Sequence, residues 1–279
     1  MGHVNRAPSL AKAEYPVQTF KNTGLAIQVL VVTVLLSSTP PLLASDGEGA
    51  YRLLQLNGYK VKWGEQTLGA GASISYAFAD QTMRFENARN CGSIAPITSL
   101  SSPSLPLDVL ERETAAAFRA WERAANLSFY PVDDASDADI VIGAQGKPVG
   151  RAFANVAYAP GPQGNIRQIK QALVCLNPER QWKVGFDGDT DVYDIRYTLI
   201  HEIGHAIGLD HPGPEGQVMG FRYTEAFTDL QPGDVSGIRQ LYGPSANYSG
   251  LADAEVNHTE SLEAKGADSD EKGDALGIK

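Results

Sequence analysis

The chain has 279 residues, of which 43% are hydrophobic and 20% are charged, the composition of a globular protein rather than a disordered or fibrous one. Its 33 acidic residues exceed its 23 basic ones, and the formal net charge of −10 argues against nucleic acid or an anionic membrane surface as the main partner. A single long apolar run excludes a multi-span membrane protein, and two cysteines allow at most one internal disulfide.

The first 44 residues have the pattern of a secretory signal peptide. Two lysines precede an apolar run at residues 25–36, and two prolines then lead to a small residue, Ala44. The run is shorter than the roughly 20 apolar residues that a membrane-spanning helix needs. We therefore expect cleavage near Ala44 and a secreted protein, extracellular or periplasmic, without stable membrane contact. Retention of residues 1–44 as a membrane anchor is the alternative.

Short strands and one long amphipathic helix are predicted in the next part of the chain. Residues 72–78 alternate small or polar with apolar side chains, as in a half-buried strand. Phe118 and Trp121 fall on one helical face, which predicts a helix from a capping Asp108 to about Asn126. Further strands are predicted at 127–132, 138–142, 151–159 and 171–177.

A second helix follows an acidic turn at residues 187–191. Asp191 and Asp194 have the spacing of a capping pair, so we expect the helix to begin at Asp191, and Gly208 predicts its end. The carboxylates of the turn could bind calcium, although the turn lacks the glycine and the distal glutamate of an EF-hand loop. A solvated acidic turn that caps the helix is the alternative.

Residues 245–279 differ in kind from the rest of the chain. They show no amphipathic period, and their acidic side chains outnumber the basic ones. Such a segment cannot bury enough apolar surface to offset the entropy of ordering it. We expect a disordered acidic tail, which leaves residues 45–244 as a single folded domain.

The second helix carries the motif that decides the interpretation. His201 and His205 stand one turn apart, so two imidazoles can face one metal ion. Gly208 permits the positive φ that ends the helix, and the resulting turn lets His211 approach the same ion. Three imidazoles leave the fourth position of a tetrahedral zinc for water, as in catalytic sites. Glu202 would lie beside this position and is the candidate general base.

The motif His-Glu-x-x-His-x-x-Gly-x-x-His resembles that of the metzincin metallopeptidases, and the residues downstream favour the matrixin branch. The segment that ends at Met219 resembles the Met-turn, which places a methionine beneath the metal in this family. The alternative is that Met219 is an ordinary core methionine. Tyr223 matches the tyrosine that lines the specificity pocket of matrixins, and residues 234–243 resemble their C-terminal helix. Pro212, which follows the third histidine, instead resembles the residue at that position in the serralysins.

The resemblance implies a zincin-like α+β fold. We expect a twisted, mostly parallel five-stranded sheet with one antiparallel edge strand, two long helices, and a small lower subdomain with the Met-turn and the C-terminal helix. Residues 45–244 would then be the catalytic domain of a secreted zinc endopeptidase that holds one catalytic zinc. Its partners would be protein or peptide substrates and not nucleic acid, and the protein would act as a monomer.

Two functions from other classes remain as alternatives. One is a secreted binding protein whose zinc only stabilises the fold, and it gives Glu202 no chemical task. The other is a membrane-tethered sheddase that keeps residues 25–36 as its anchor. The first is separated from the enzyme by substitution of Glu202, and the second by the N-terminal residue of the mature protein.

Cys91 and Cys175 both follow the expected cleavage site. In an oxidising compartment, a disulfide between them is the simplest interpretation, and two buried free thiols are the alternative. Residues 89–92 also have a weak resemblance to the cysteine segment that blocks the zinc in matrixin propeptides. The two cysteines are therefore candidates for a structural bond and, less directly, for a latency device.

Overall fold

The computed structural model describes residues 51–86, 88–161 and 164–246. The expected signal peptide at 1–44 and all but the first two residues of the expected tail at 245–279 lie outside the described residues. Within these ranges, no helix combines the length and the apolar character that a bilayer span requires.

The helices are a short 3-10 helix (Ile97–Leu100), α1 (Leu107–Ala124), α2 (Ile195–Ala206) and α3 (Pro232–Tyr242). The strands are β1 (Arg52–Leu53), β2 (Gln55–Leu56), β3 (Tyr59–Lys62), β4 (Ala72–Phe78), β5 (Met83–Arg84), β6 (Ser93–Ala95), β7 (Leu127–Pro131), β8 (Ile140–Gln145), β9 (Ala152–Tyr158), β10 (Ile166–Leu176), β11 (Trp182–Lys183), β12 (Tyr193–Asp194) and β13 (Leu209–Asp210).

Five strands form the centre of one sheet in the order β7-β4-β8-β10-β9. The pairs from β7 to β10 are all parallel, whereas β9 runs antiparallel to β10 at the edge. Strand β8 is buried along its whole length, as expected for the middle of a sheet covered on both faces. The predicted α+β fold with a mostly parallel sheet and one antiparallel edge strand is confirmed.

The sheet is larger than the sequence predicts, because four short strands extend it to nine. Strands β2 and β3 form a hairpin in which Asn57 and Gly58 have φ values of 52° and 84°, the two positive values that a type I′ turn requires. Strand β3 pairs with the start of β10, while β5 and β6 are added beside β8. The Asn-Gly pair is the local signal for this hairpin.

Helices α1 and α2 pack against each other, and both also contact the sheet. Phe118 and Trp121 are buried, and the indole Nε1 of Trp121 donates a hydrogen bond to the carbonyl of Ile200 in α2 over 3.1 Å. The predicted cap is wrong: Pro106 is the N-cap residue, and no side chain caps the helix. Asp108 lies inside the first turn instead, where its negative charge is favoured by the helix dipole.

Helix α2 begins later than the sequence predicts. Tyr193 and Asp194 form β12 and pair with β11, so the helix cannot begin at Asp191. Asp194 itself is the N-cap residue, and its carboxylate accepts hydrogen bonds from the N–H groups of Tyr197 and Gly185, each at 2.7 Å. One buried carboxylate therefore fixes the start of the histidine-bearing helix and the loop before it.

A disulfide joins Cys91, just before β6, to Cys175 in β10. Both residues are buried, and their Cα atoms are 6.5 Å apart across a sequence separation of 84 residues. In this form Cys91 has no free thiolate, so it cannot block a zinc ion as a propeptide cysteine does.

The disulfide is expected to contribute about 2–4 kcal/mol to the free energy of unfolding, because it closes a long loop in the unfolded chain. A double variant with Cys91→Ser and Cys175→Ser should therefore unfold at a lower urea concentration than the parent. A reducing agent should produce the same shift in the parent and none in the double variant. An unchanged urea midpoint in both experiments would contradict this assignment.

Candidate metal centre and substrate cleft

Helix α2 and the turn after it bring three histidines together. His201 and His205 lie one turn apart on α2, which ends just before Gly208 with its φ of 103°. A Cβ atom at Gly208 would overlap the carbonyl oxygen of Val61, so the close approach and the positive φ both require glycine. The chain then passes through β13 and places His211 beside the other two imidazoles.

The Nε2 atoms of the three imidazoles converge on one point. Nε2 of His211 lies 3.0 Å from Nε2 of His201 and 3.0 Å from Nε2 of His205. Nδ1 of His201 is 2.7 Å from the carbonyl oxygen of Val218, and Nδ1 of His205 is 2.9 Å from that of Leu209. Because a carbonyl only accepts, these Nδ1 atoms carry the protons and the Nε2 atoms keep their lone pairs. Lone pairs at this separation repel unless a cation lies among them, so the residues fit a zinc ion bound at about 2.0–2.1 Å.

Burial keeps these imidazoles neutral. It lowers the pKa of His201 well below its ordinary value, lowers that of His205 to about 4, and also lowers that of His211. The positive charge of Arg151 acts in the same direction on all three. Neutral imidazole is the form that binds a metal ion, so the site can hold zinc at neutral pH without releasing protons from these rings.

Glu202 follows the first histidine on α2, and only 4% of it is exposed. Burial raises the pKa of its carboxyl group to about 7, while the charge of Arg151 and a hydrogen bond with the backbone of Ala154 act in the opposite direction. Such a group exchanges a proton readily near neutral pH, which is the property of an acid–base residue. A divalent cation beside it would favour the ionised form.

Met219 packs against α2 at Gly204, between the first two histidines of the motif. A Cβ atom at Gly204 would overlap the sulfur of Met219 and would lie 2.9 Å from Cζ2 of Trp121. Met219 is 2% exposed, and Trp121 is fully buried. The glycine inside the histidine motif is therefore required by packing, since it lets the methionine and the indole contact the helix backbone.

Asp234, in the first turn of α3, holds the segment around Met219 in place. Its carboxylate is 1% exposed and accepts hydrogen bonds from the N–H groups of Val218 (2.8 Å), Met219 (3.0 Å) and Gln231 (2.9 Å). The carbonyl of Val218 in turn accepts the Nδ1 proton of His201. Asp234 therefore acts on the orientation of a metal-facing imidazole through one intervening residue.

A cleft of about 1010 Å³ runs along the edge strand β9 and reaches the three histidines. At one end of β9, the guanidinium of Arg151 lies near the rings of Tyr193 and Tyr223. At the other end, the hydroxyl of Tyr158 accepts a hydrogen bond from the side chain of Asn57 over 2.8 Å. A long cleft beside an unpaired strand edge has the shape to receive an extended peptide.

Tyr223 lines this cleft and is held at two points. Its hydroxyl accepts a hydrogen bond from the N–H of Asp194 at 2.9 Å and donates one to Glu225 at 2.8 Å. Glu225 also pairs with the ammonium of Lys183 at 2.6 Å. Because Asp194 caps α2, the side chain of Tyr223 is hydrogen-bonded directly to the N-terminus of the histidine-bearing helix.

The acidic turn at 187–191 receives a cation from its own chain. The ammonium of Lys183 contacts a carboxylate oxygen of Asp187 and lies 2.6 Å from the carbonyl oxygen of Asp189 and 2.6 Å from Glu225. Oxygen atoms of the kind that would bind calcium therefore surround an ammonium group.

The sequence did not single out three charged residues around the site: Arg151, Asp234 and Glu225. Each is an isolated residue outside the histidine motif, and each meets its partners only after folding. The predicted strand at 151–159 includes Arg151 without indicating its contacts. The C-terminal helix pattern similarly included Asp234 without indicating its contacts.

The family model described as Matrixin matches residues 97–243, more than half of the chain. A similar curated protein is the metalloendoproteinase 1-MMP of Arabidopsis thaliana, which is 32% identical over 140 residues, covering 46% of this chain and 36% of the relative. Interstitial collagenase B of Mus musculus is 30% identical over 169 residues, covering 56% of this chain and 34% of the relative. The chain thus spans about a third of the length of these relatives. The matched region contains the histidine motif, the Met219 segment and α3, and the chain belongs to the matrixin family.

Proposed function

We propose that the protein is a secreted zinc endopeptidase in which His201, His205 and His211 hold the catalytic zinc. One observation carries the proposal: three imidazole Nε2 atoms converge next to a buried glutamate in the wall of a long cleft. Membership of the matrixin family and relatives named as metalloendoproteinases support the same reaction. The protein acts on protein or peptide substrates and works as a monomer.

Glu202 performs the proton transfers of the proposed reaction. When bound, zinc supplies Lewis acidity toward water and toward the substrate carbonyl. A carboxylate oxygen of Glu202 accepts a proton from the attacking water and later delivers it to the nitrogen of the departing amine. Acceptance requires the ionised form and delivery the protonated form. Burial of Glu202 raises the pKa of its carboxyl group and a bound cation lowers it, so the two opposing effects keep both forms accessible.

The substrate is expected to lie extended along β9 and to add a strand to this edge of the sheet. Backbone hydrogen bonds would then provide much of the binding energy, and side-chain pockets would provide the selectivity. Tyr223 lines the pocket that receives the residue after the scissile bond. Binding along the middle of a chain, rather than at its end, makes the enzyme an endopeptidase.

Charge balance at the acidic turn is assigned to Lys183 rather than to calcium. Its contacts with Asp187, Asp189 and Glu225 support this assignment, because they use the oxygen atoms that a calcium ion would need. The proposed enzyme therefore requires zinc at the three histidines and does not require calcium at residues 187–191.

Removal of zinc is expected to abolish peptide hydrolysis, because Glu202 alone cannot activate water toward an amide carbonyl. The mature protein is incubated with a peptide library before and after dialysis against a zinc chelator, and the products are identified by mass spectrometry. Internal cleavage should disappear with the metal and return when one equivalent of zinc is added. Hydrolysis that persists in the metal-free protein, or trimming from chain ends alone, would contradict the proposal.

A further inference from the structure

Arg151 is a cation at one end of the cleft, immediately before β9. It is partly buried and lines the cleft together with Glu202 and the histidines. Its guanidinium carbon lies 5.3 Å from the ring centroid of Tyr193 and 5.7 Å from that of Tyr223. Two aromatic rings therefore lie beside the positive charge, and a guanidinium packed against aromatic rings keeps its N–H groups available at its edge.

Among the described residues, no acidic group forms an ion pair with this guanidinium. In the part of the chain that the structure describes, no carboxylate oxygen lies within 4.0 Å of it. Asp194 caps α2, and Glu225 pairs with Lys183. Glu202 lies close enough for the charge of Arg151 to lower its pKa, but it forms no ion pair with the guanidinium. The guanidinium therefore keeps N–H donors that no acidic group of the described chain uses, and its place in the cleft points to a negatively charged substrate group.

A second unpaired polar group lies in the same aromatic cluster. Tyr197 is 2% exposed, and its hydroxyl has no hydrogen-bond partner among the described residues. Its ring packs edge-on against Tyr223 with centroids 5.2 Å apart. Buried hydroxyl groups normally have a hydrogen-bond partner, so the region around Tyr223 contains an unsatisfied hydroxyl as well as an arginine without an acidic partner.

The direction of β9 places Arg151 on a defined side of the scissile bond. The backbone of Ala154 bonds to Glu202, and Arg151 precedes Ala154 by three residues, a distance of about 10 Å along an extended strand. A substrate that runs antiparallel to β9 places the residues after its scissile bond toward Arg151. Tyr223, which lines the pocket for that part of the substrate, is the residue that Arg151 approaches.

We propose that Arg151 is a specificity-determining residue that binds a substrate carboxylate on the C-terminal side of the scissile bond. The inference rests on the proposed endopeptidase function. The guanidinium offers a fork of N–H donors that matches a carboxylate, and such charge-assisted pairs are about twice as strong as neutral hydrogen bonds. The carboxylate can come from an aspartate or glutamate side chain, or from the C-terminus of a short substrate.

The test compares cleavage of matched quenched peptides that carry Glu, Gln or Lys directly after the scissile bond. A second pair of neutral peptides ends two residues after the bond in either a free carboxylate or an amide. The enzymes are the parent, Arg151→Gln, Arg151→Lys, Arg151→Glu and a control, Arg119→Gln, whose arginine is exposed on α1 and lies outside the residues that line the cleft. Each result is read as a ratio of kcat/KM between two peptides, so an effect of Arg151 on Glu202 cancels.

The parent and Arg119→Gln should cleave the Glu peptide, or the free-carboxylate peptide, about 10- to 100-fold faster than its neutral partner. The ratio should approach one in Arg151→Gln, persist in part in Arg151→Lys, and turn toward the Lys peptide in Arg151→Glu. Added salt should reduce the preference of the parent. Which pair of peptides shows the preference identifies the source of the carboxylate.

Equal rates within both peptide pairs for the parent enzyme would overturn this inference, even if every peptide is cut. The same ratio in the parent and in Arg151→Gln would also overturn it. A parent enzyme that cuts no peptide would instead count against the proposed endopeptidase function. If the glutamine variant does not fold, the salt dependence of the parent and the ratio for Arg151→Lys still decide the question.

Discussion

Replacement of Glu202 by glutamine is expected to lower kcat for peptide hydrolysis by about 100- to 10,000-fold while zinc remains bound. Glutamine has nearly the same shape as glutamate, so the buried site should keep its packing. Its amide cannot accept a proton from water near neutral pH, and the proton transfers of the reaction are therefore lost. Hydrolysis of a quenched peptide, the zinc content of the purified protein and its melting temperature are measured together.

The control is Glu111→Gln, which removes the same charge from an exposed position on α1 outside the cleft. It should leave kcat, zinc content and stability unchanged. Full activity in Glu202→Gln would contradict the proposed role of Glu202. Absence of hydrolysis in both the parent and the variant would instead favour the alternative in which zinc only stabilises a binding protein. Loss of zinc together with activity would show that Glu202 supports the site rather than the proton transfer.

The metal centre could be predicted from the sequence because its geometry is local. His201 and His205 are related by one helical turn, and Gly208 reverses the chain so that His211 can join them. These relations depend on helix geometry and on one glycine, both of which a short stretch of sequence specifies. Glu202 follows from the same motif, since it is adjacent to the first histidine.

The start of each helix was harder to predict because competing local structures use the same residue types. Asp194 can be a partner of Asp191 in a capping box or the cap itself, and the pairing of β12 with β11 decides for the second. Asp108 is a typical cap by composition, yet the chain enters α1 at Pro106. Tertiary contacts decide where each helix begins, and these contacts cannot be inferred from the local sequence.

The surroundings of the site could not be predicted because they form across long separations in the chain. The carbonyl that orients His201 is 17 residues away, and the indole that packs beside Gly204 bonds to α2 across a separation of 79 residues. Arg151 meets Tyr223 only when β9 and the segment after Met219 come together. The sequence around Arg151 does not indicate that its side chain will contact Tyr223.

The buried carboxylate of Asp234 connects the fold of the lower part of the domain to the metal centre. Replacing Asp234 by alanine leaves the N–H groups of Val218, Met219 and Gln231 without their acceptor. Each unsatisfied buried group costs about 1–3 kcal/mol, so a fall of several kcal/mol in the free energy of unfolding is expected. Affinity for zinc should also fall by about 10- to 100-fold, because Val218 orients His201.

Urea unfolding and competition with a zinc indicator measure the two effects of Asp234→Ala separately. The matched control is Asp229→Ala, which removes an exposed carboxylate that pairs with Arg123 and accepts the N–H of Leu230 at the surface. It should change the unfolding free energy by no more than about 1 kcal/mol. Asp234→Asn keeps one acceptor oxygen and should lie between the two. If Asp234→Ala were less stable but bound zinc as tightly as the parent, the hydrogen bonds from Asp234 through Val218 to His201 would not control the metal site. The carboxylate would then hold only the chain around Met219, and the orientation of His201 would depend on the packing of α2 alone.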